Sequence, residues 1–227
     1  YFGVQRAGRL PVRGIAACSQ SAEPHRMTIL VTGGAGFIGR AVRDQLEAAG
    51  HAVRVFDRAV DTRDNILDHD RLRMAADGCE AVIHLAAKVG LGVDILDIDE
   101  YALHNDVGTA MTLRVAAEHK ITRFVYASSM VVYGEGRYRC ARHGSVSPPP
   151  RDRNDLDQRR FDPRCRYCGE DLVPELVPES APLGPRNTYA ATKVHGEQLA
   201  TIWSRETGGT VAALRFHNVY GPGMPRD

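Results

Sequence analysis

The run Thr32-Gly33-Gly34-Ala35-Gly36-Phe37-Ile38-Gly39 constrains this chain more than any other feature. It follows Thr28 to Thr32, a short β-branched stretch that reads as a buried strand. It leads into Phe37 to Ala49, where Ile38, Val42, Leu46 and Ala49 share one helical face and Gly50 marks the stop. Gly33, Gly36 and Gly39 therefore sit at a strand-to-helix turn in the spacing G-x-x-G-x-x-G. Each glycine meets a different need: a tight turn, a backbone a pyrophosphate can approach, and close packing of helix on strand. The helix N-terminus, including Phe37 and Ile38, then faces the phosphates. A glycine-rich turn with no nucleotide is the alternative, but the strand–turn–helix context favours a dinucleotide.

The rest of the chain repeats the alternation. Ala52 to Phe56, Ala81 to Leu85, Arg123 to Ala127 and Val211 to Phe216 read as strands. Asn105 to His119, with Val107, Met111 and Val115 aligned, and Thr188 to Thr207 read as helices. Alternating strands and helices imply an α/β fold, a Rossmann-type doubly wound parallel sheet covered on both faces. The pattern breaks at about Glu135 and resumes near Pro185, around a Pro-, Arg- and Asp-rich stretch too long for an ordinary loop. The expected organisation is a dinucleotide-binding domain over 27–134 and 180–227, with an insertion over 135–179.

Residues 1–26 are dotted with arginines and lack periodicity; they read as a disordered leader, with Met27 as the natural start. Ile15-Ala16-Ala17-Cys18 has the look of a lipoprotein box, but Arg6, Arg9 and Arg13 interrupt the apolar core a signal peptide needs. The five cysteines, an odd number, do not form a secreted disulfide framework, so a cytoplasmic location is expected. A net charge of +1 gives no electrostatic case for nucleic acid or an acidic membrane, and no apolar run is long enough to span one.

Asp57 ends the second strand, where an acid can hydrogen-bond both ribose hydroxyls and repel a 2′-phosphate. NAD is therefore expected over NADP, although Arg58 blurs the choice, and a strand-end turn residue is the plainer reading of Asp57. Ser128 and Ser129 follow the fourth strand, and Tyr189 and Lys193 share one helical face. A phenol has an ordinary pKa of ~10. A nearby ammonium lowers it, so tyrosine can take a proton from a sugar hydroxyl while a nicotinamide takes the hydride.

With these pieces in hand, the sequence resembles the extended short-chain dehydrogenase/reductase superfamily, in its NAD-dependent epimerase/dehydratase branch. The matching motifs are the glycine turn, His84-Leu85-Ala86-Ala87, Asn105 to Thr109, Ser128 to Gly134, Tyr189 to Lys193, and Arg215 to Gly221. The resemblance implies Ser129 as the catalytic serine, Tyr189 as acid/base, and Lys193 as its partner and holder of the nicotinamide ribose. It implies that Leu85, Ala86, Ala87, Asn105, Ser128 and Phe216 contact the cofactor, and that Asn65-Ile66 lies against the adenine. Asn65 departs from the usual Asp, which weakens that contact. It also implies that Asn218, with Ser129 and Tyr189, meets a nucleotide-sugar substrate. Dehydratases of the branch carry Asp-Glu beside this serine position; Met130-Val131 here offers no acid, so elimination is not expected.

A nucleotide-sugar 4-epimerase is the reading preferred. A sugar-nucleotide dehydrogenase or reductase using NAD(P), or a non-catalytic NAD-binding protein, are the rivals. The resemblance also implies a homodimer through the helices bearing Asn105 and Tyr189. It implies about 100 further residues carrying most of the sugar pocket, in keeping with a two-domain chain. The C-terminal substrate domain is thus expected to be largely absent from these residues, and this chain to bind NAD better than it turns over sugar.

Within the insertion, Cys140-x2-His143 and Cys165-x2-Cys168 form two clips, each followed by glycine. Their type and spacing suit a structural zinc site, which would hold together an insert poor in apolar residues. Incidental thiols in a loop, or a Cys165–Cys168 redox pair, are the alternatives. The insertion's place in the chain suggests a lid beside the substrate crevice. A Cys-bearing insert after Tyr133-Gly134-Glu135-Gly136 also resembles a subgroup that includes dTDP-L-rhamnose 4-epimerases. His84 and His217 are expected to be packed strand residues, and Trp203 core or interface.

Overall fold

The computed structural model describes residues 26–90 and 95–224. The leader expected over 1–26 lies outside them except for Arg26.

The element order is β1 (Thr28–Thr32), α1 (Phe37–Ala48), β2 (Ala52–Phe56), α2 (His69–Ala76), β3 (Ala81–His84), then α3 (Ile98–Tyr101) and α4 (Gly108–Glu118). After these come β4 (Arg123–Ser129), β5 (Arg137–Cys140), β6 (Gly144–Val146), α5 (Arg153–Asp157), β7 (Val173–Glu175), α6 (Thr188–Thr207) and β8 (Thr210–Phe216). Five strands form a parallel sheet in the order β2-β1-β3-β4-β8. The chain leaves β1 sideways to β2 and then crosses back to β3. The switch point, where open α/β sheets place ligands, therefore lies between β1 and β3.

Residues of β1 alternate between two cores. Ile29 and Val31 pack with Ala81 and, from α1, Leu46. Leu30 faces the other way, into a larger core with Leu72, Leu113, Phe124 and Trp203 from α2, α4, β4 and α6. Helices thus pack on both faces, but α1 covers its face only near β1 to β3, and Ala212, Ala213 and Leu214 of β8 stay exposed. Among the described residues, no helix is long and apolar enough to cross a membrane.

Three features differ from expectation. First, α2 gave no clear sequence signal; it is short, and Asp68 caps it by accepting from the Arg71 N–H at 3.0 Å. Second, the helix expected from Asn105 begins at Ile98 and passes through a π-turn, Ala102–Val107. Of the expected stripe, Val115 is buried and Met111 packs on the core, but Val107 is exposed, and Asn105, Thr109, Thr112 and Ala116 are buried as well. Third, the segment 135–179 is not loop alone: β5 pairs antiparallel with β6 and β7 in a separate three-stranded sheet.

His84 ends β3, fully buried as expected. Its Nδ1 lies 2.7 Å from the Thr32 hydroxyl and its Nε2 3.1 Å from that of Thr109, a setting that satisfies a neutral ring. Burial, helped by the Lys193 ammonium, holds its pKa down to about 3. Unfolded, the same ring protonates near 6.5. Between these values the unfolded chain binds more protons, so stability present above pH ~6.5 is lost as pH falls toward 3. This group contributes a slope of up to about 1.4 kcal/mol per pH unit. His84→Gln is expected to flatten the dependence of the urea midpoint on pH in that window. An unchanged slope would show that His84 is not held neutral.

Candidate active site

A cleft of about 960 Å³ opens at the carboxyl ends of the strands. The glycine turn forms its floor. Gly33 has φ +71°, and a Cβ there would meet the Ala86 backbone nitrogen at 2.7 Å. A Cβ on Gly39 would come within 2.3 Å of the Gly33 carbonyl oxygen. These two glycines let β1, β3 and α1 converge. Gly36 differs: a Cβ would meet only the Gly33 oxygen, at a tight 3.3 Å, and the residue borders the cleft. Phe37, Ile38 and Gly39 line the same floor.

Asp57 stands at the end of β2 and does two things. Its Oδ2 accepts from the Ala35 N–H and its Oδ1 from the Ala59 N–H, each at 2.9 Å. The carboxylate therefore ties β2 to the glycine turn, as a turn residue would. Each oxygen also keeps a lone pair for a ribose hydroxyl. Arg58, Asn65, Ile66, Leu85, Ala86 and Ala87 line the cleft nearby.

Opposite them stand Ser128, Ser129, Tyr189, Lys193, Phe216 and Asn218. Helix α6 owes its register to Asn187, whose Oδ1 caps it by accepting from the Ala190 N–H at 2.7 Å. Tyr189 thus falls in the first turn and Lys193 one turn on. Gly196 lets α6 settle on the sheet, since a Cβ there would lie 2.1 Å from the Tyr126 hydroxyl.

The electrostatics depart from the simple expectation of a phenol lowered by an ammonium. Lys193 is buried and donates to the Ala127 carbonyl at 2.7 Å, with its Nζ 5.5 Å from the Tyr189 ring centre. Burial brings this ammonium down to about 8. Burial also pushes the Tyr189 phenol up, opposed by a hydrogen bond with Ser129. The protein therefore stores a neutral tyrosine beside an easily deprotonated lysine.

Asn105 stands apart from the other residues expected at the cofactor. It does not line the cleft. Its Oδ1 accepts from the Lys88 N–H at 2.7 Å, and its Nδ2 donates to the Lys88 carbonyl and the Thr192 hydroxyl, both at 3.0 Å. The π-turn aims this amide into the core, where it fixes the loop after β3 against α6. Ser128 borders the cleft, but its hydroxyl is committed to Glu197 at 2.5 Å. His217, expected to be packed in a strand, lies just beyond β8, exposed and bordering the cleft.

Sequence reading passed over Glu197 and Arg215 as a pair. Arg215 donates to Glu197 through Nε at 2.9 Å and Nη2 at 2.8 Å, and to the Tyr133 hydroxyl at 2.5 Å. Burial alone would raise the Glu197 carboxyl; the bonds from Arg215 and Ser128 outweigh it and hold the group below the usual range. The pair braces Ser128 and the turn after Ser129. The available signal was spacing: Glu197 lies one turn beyond Lys193 on the same helix.

Cys140, His143, Cys165 and Cys168 come together in the insertion, their ligand atoms all within 4.8 Å of one another. Among the described residues, none of 135–179 lines the cleft. A lid role for the insertion therefore finds no direct contact there. The segment reaches the site through Gly134 and Gly184, whose N–H donates to the Val132 carbonyl at 2.9 Å.

The model of the NAD-dependent epimerase/dehydratase family matches residues 29–160 and 168–227. The dTDP-L-rhamnose 4-epimerase of Burkholderia thailandensis is 33% identical over 218 residues, covering 86% of this chain and 59% of that protein. The dTDP-glucose 4,6-dehydratase of Streptomyces niveus is 28% identical, covering 86% and 55%. A short-chain dehydrogenase/reductase superfamily protein from Agrobacterium tumefaciens, solved with bound NAD, superposes with a TM-score of 0.61 at 30% identity, over 83% of this chain and 48% of that one. The chain thus spans little more than half the length of these curated relatives.

Proposed function

Since the chain belongs to the NAD-dependent epimerase/dehydratase family, we propose that it serves an NAD-dependent nucleotide-sugar 4-epimerase. The observation that carries this reading is that Ser129, Tyr189 and Lys193 border the same cleft as the glycine turn and Asp57.

The residues present fit NAD. The first turn of α1 carries no acidic side chain, so its N–H groups suit a diphosphate, and Gly36 leaves room for one. Asp57 would accept from the adenine ribose, with Ile66 and Asn65 toward the adenine and Phe216 toward the nicotinamide. When bound, NAD supplies a hydride acceptor that can return the hydride. Tyr189 would take the proton of the sugar C4 hydroxyl and later give it back, with the Ser129 hydroxyl sharing that hydrogen bond. Lys193 would favour the phenolate as it forms and hold a ribose hydroxyl. Asn218 would steady the sugar nucleotide. The dehydratase relative raises elimination as a rival. Against it, Met130 and Val131 follow Ser129 with no acid to protonate a leaving hydroxyl, and the nearby Glu197 is held by Arg215. Two copies would pair through α6 and the helical turn bearing Asn105, where Ile202, Leu103 and Val107 are exposed.

Asp57→Ala is expected to weaken NAD binding by about tenfold and to narrow the preference over NADP, since the removed carboxylate both accepts from ribose and repels a 2′-phosphate. Titration with each cofactor checks this; an unchanged NAD-to-NADP ratio would remove Asp57 from the site. The proposed reaction is tested by incubating the intact protein with NAD and a panel of nucleotide sugars, reading NADH absorbance and C4 stereochemistry together. Epimer without net NADH supports it. Stoichiometric NADH would make the protein a dehydrogenase.

A further inference from the structure

We propose that Cys140, His143, Cys165 and Cys168 hold one Zn²⁺ as a structural centre for the segment 135–179. Cys140 Sγ lies 3.4 Å from His143 Nδ1 and 3.6 Å from Cys168 Sγ, and Cys165 Sγ lies 3.4 Å from His143 Nδ1. A tetrahedron with Zn–S of ~2.3 Å and Zn–N of ~2.0 Å has edges of roughly 3.5–3.8 Å. The sulfurs are far outside the ~2.05 Å of a disulfide, and all three thiols are free. Three thiolates and an imidazole in this arrangement select zinc over the oxygen-seeking cations.

The backbone is shaped for the same purpose. The hairpin β5–β6 turns between Cys140 and Gly144, which pair across it. The N–H groups of Arg142 and His143 bond to Cys140, and that of Glu170 bonds to Cys168. Gly144 and Gly169, at φ +68° and +73°, close the two clips in a conformation other residues resist. An ion pair between Arg142 and Glu170 at 2.9 Å joins one clip to the other.

Energetics supply the second argument. The insertion's core consists of Cys140, Cys165 and Leu172, with Tyr138, Val146 and Cys168 packed against it. So few apolar side chains cannot offset the conformational entropy lost in ordering three short strands. A bound metal supplies that cohesion. Four protein ligands fill the tetrahedron, so the centre takes no part in chemistry.

The test is metal content by mass spectrometry, with zinc replaced by cobalt for its visible spectrum. The intact protein should carry one zinc per chain, and the cobalt form should show the intense bands of tetrahedral thiolate coordination. Cys140→Ser and Cys168→Ser should fall below a tenth of that content, while Cys79→Ser, outside the cluster, should keep it. If the Ser variants do not fold, the native protein still decides: chelation should expose the clip thiols to alkylation and speed tryptic cleavage within 135–179. Less than a tenth of a zinc per chain after purification in zinc-containing medium would overturn the proposal. So would an octahedral cobalt spectrum, or full metal content in both Ser variants. NAD titration of the same samples separates this from the proposed function. Zinc without NAD binding sinks that reading alone, and NAD binding without zinc sinks the centre alone.

Discussion

Tyr189→Phe is expected to lower kcat on the nucleotide sugar by about 10³-fold, the loss typical of a positioned general acid–base, while NAD affinity stays within about threefold. The substitution removes only the phenol oxygen. The ring remains edge-on to Tyr101, with centres 6.3 Å apart. A 10³-fold loss corresponds to about 4 kcal/mol of transition-state stabilisation. Lys193 is a poorer probe, because its ammonium also holds the Ala127 carbonyl. Turnover by NMR and cofactor titration on the same variant check the split. A variant retaining more than about a tenth of the activity would show that another group carries the proton.

The second large effect separates two glycines of one turn. Gly36→Val should cost about 1 kcal/mol of stability, since Gly36 caps α1, yet weaken NAD by about 100-fold, or ~2.7 kcal/mol. The backbone there is extended, at φ −68° and ψ 177°, and a Cβ meets only one atom. The added methyl groups would take up space at the cleft floor. Gly39→Ala should do the reverse in order: it sets a Cβ against the Gly33 oxygen at 2.3 Å and the Gly34 Cα at 2.6 Å. The turn must shift, costing about 1–3 kcal/mol or more of stability, and NAD binding is lost as a consequence. Thermal melts with and without NAD read both. Normal NAD affinity in Gly36→Val would mean that the diphosphate does not lie on this turn.

The parts of the molecule that were legible in sequence are those where one physical demand dominates. The glycine turn, β1, β2 and the whole of α6 fell where the sequence pattern put them, because burial of a parallel sheet leaves few options. Helix α2 was missed because it is only eight residues long, half of them His, Asp or Arg, and it buries only Leu72 and Ala76. The strands β5 to β7 were missed because each has three or four residues, and β7 contains Pro174. The site shows the same division. Residues sharing one helix or one turn could be brought together from spacing, as could the four Cys and His side chains of the two clips. The bonds of Asn105 to Lys88 and Thr192 could not, because they join the π-turn, the loop after β3 and α6 only in space. Nor could the hold of Arg215 on Glu197 and Tyr133, which joins β8, α6 and the turn after β4 only in three dimensions.

The central claim is that a proton carrier at Tyr189 and a hydride acceptor in the adjoining cleft act together at one sugar carbon. The most direct test uses a nucleotide sugar deuterated at C4, incubated with the intact protein and NAD in ordinary water, with the product examined by NMR. The account predicts the C4 epimer with deuterium retained at C4, since the hydride leaves and returns without meeting solvent. Deuterium exchanged into water would mean inversion by proton transfer, and deuterium found in released NADH would mean net oxidation; either result would contradict it.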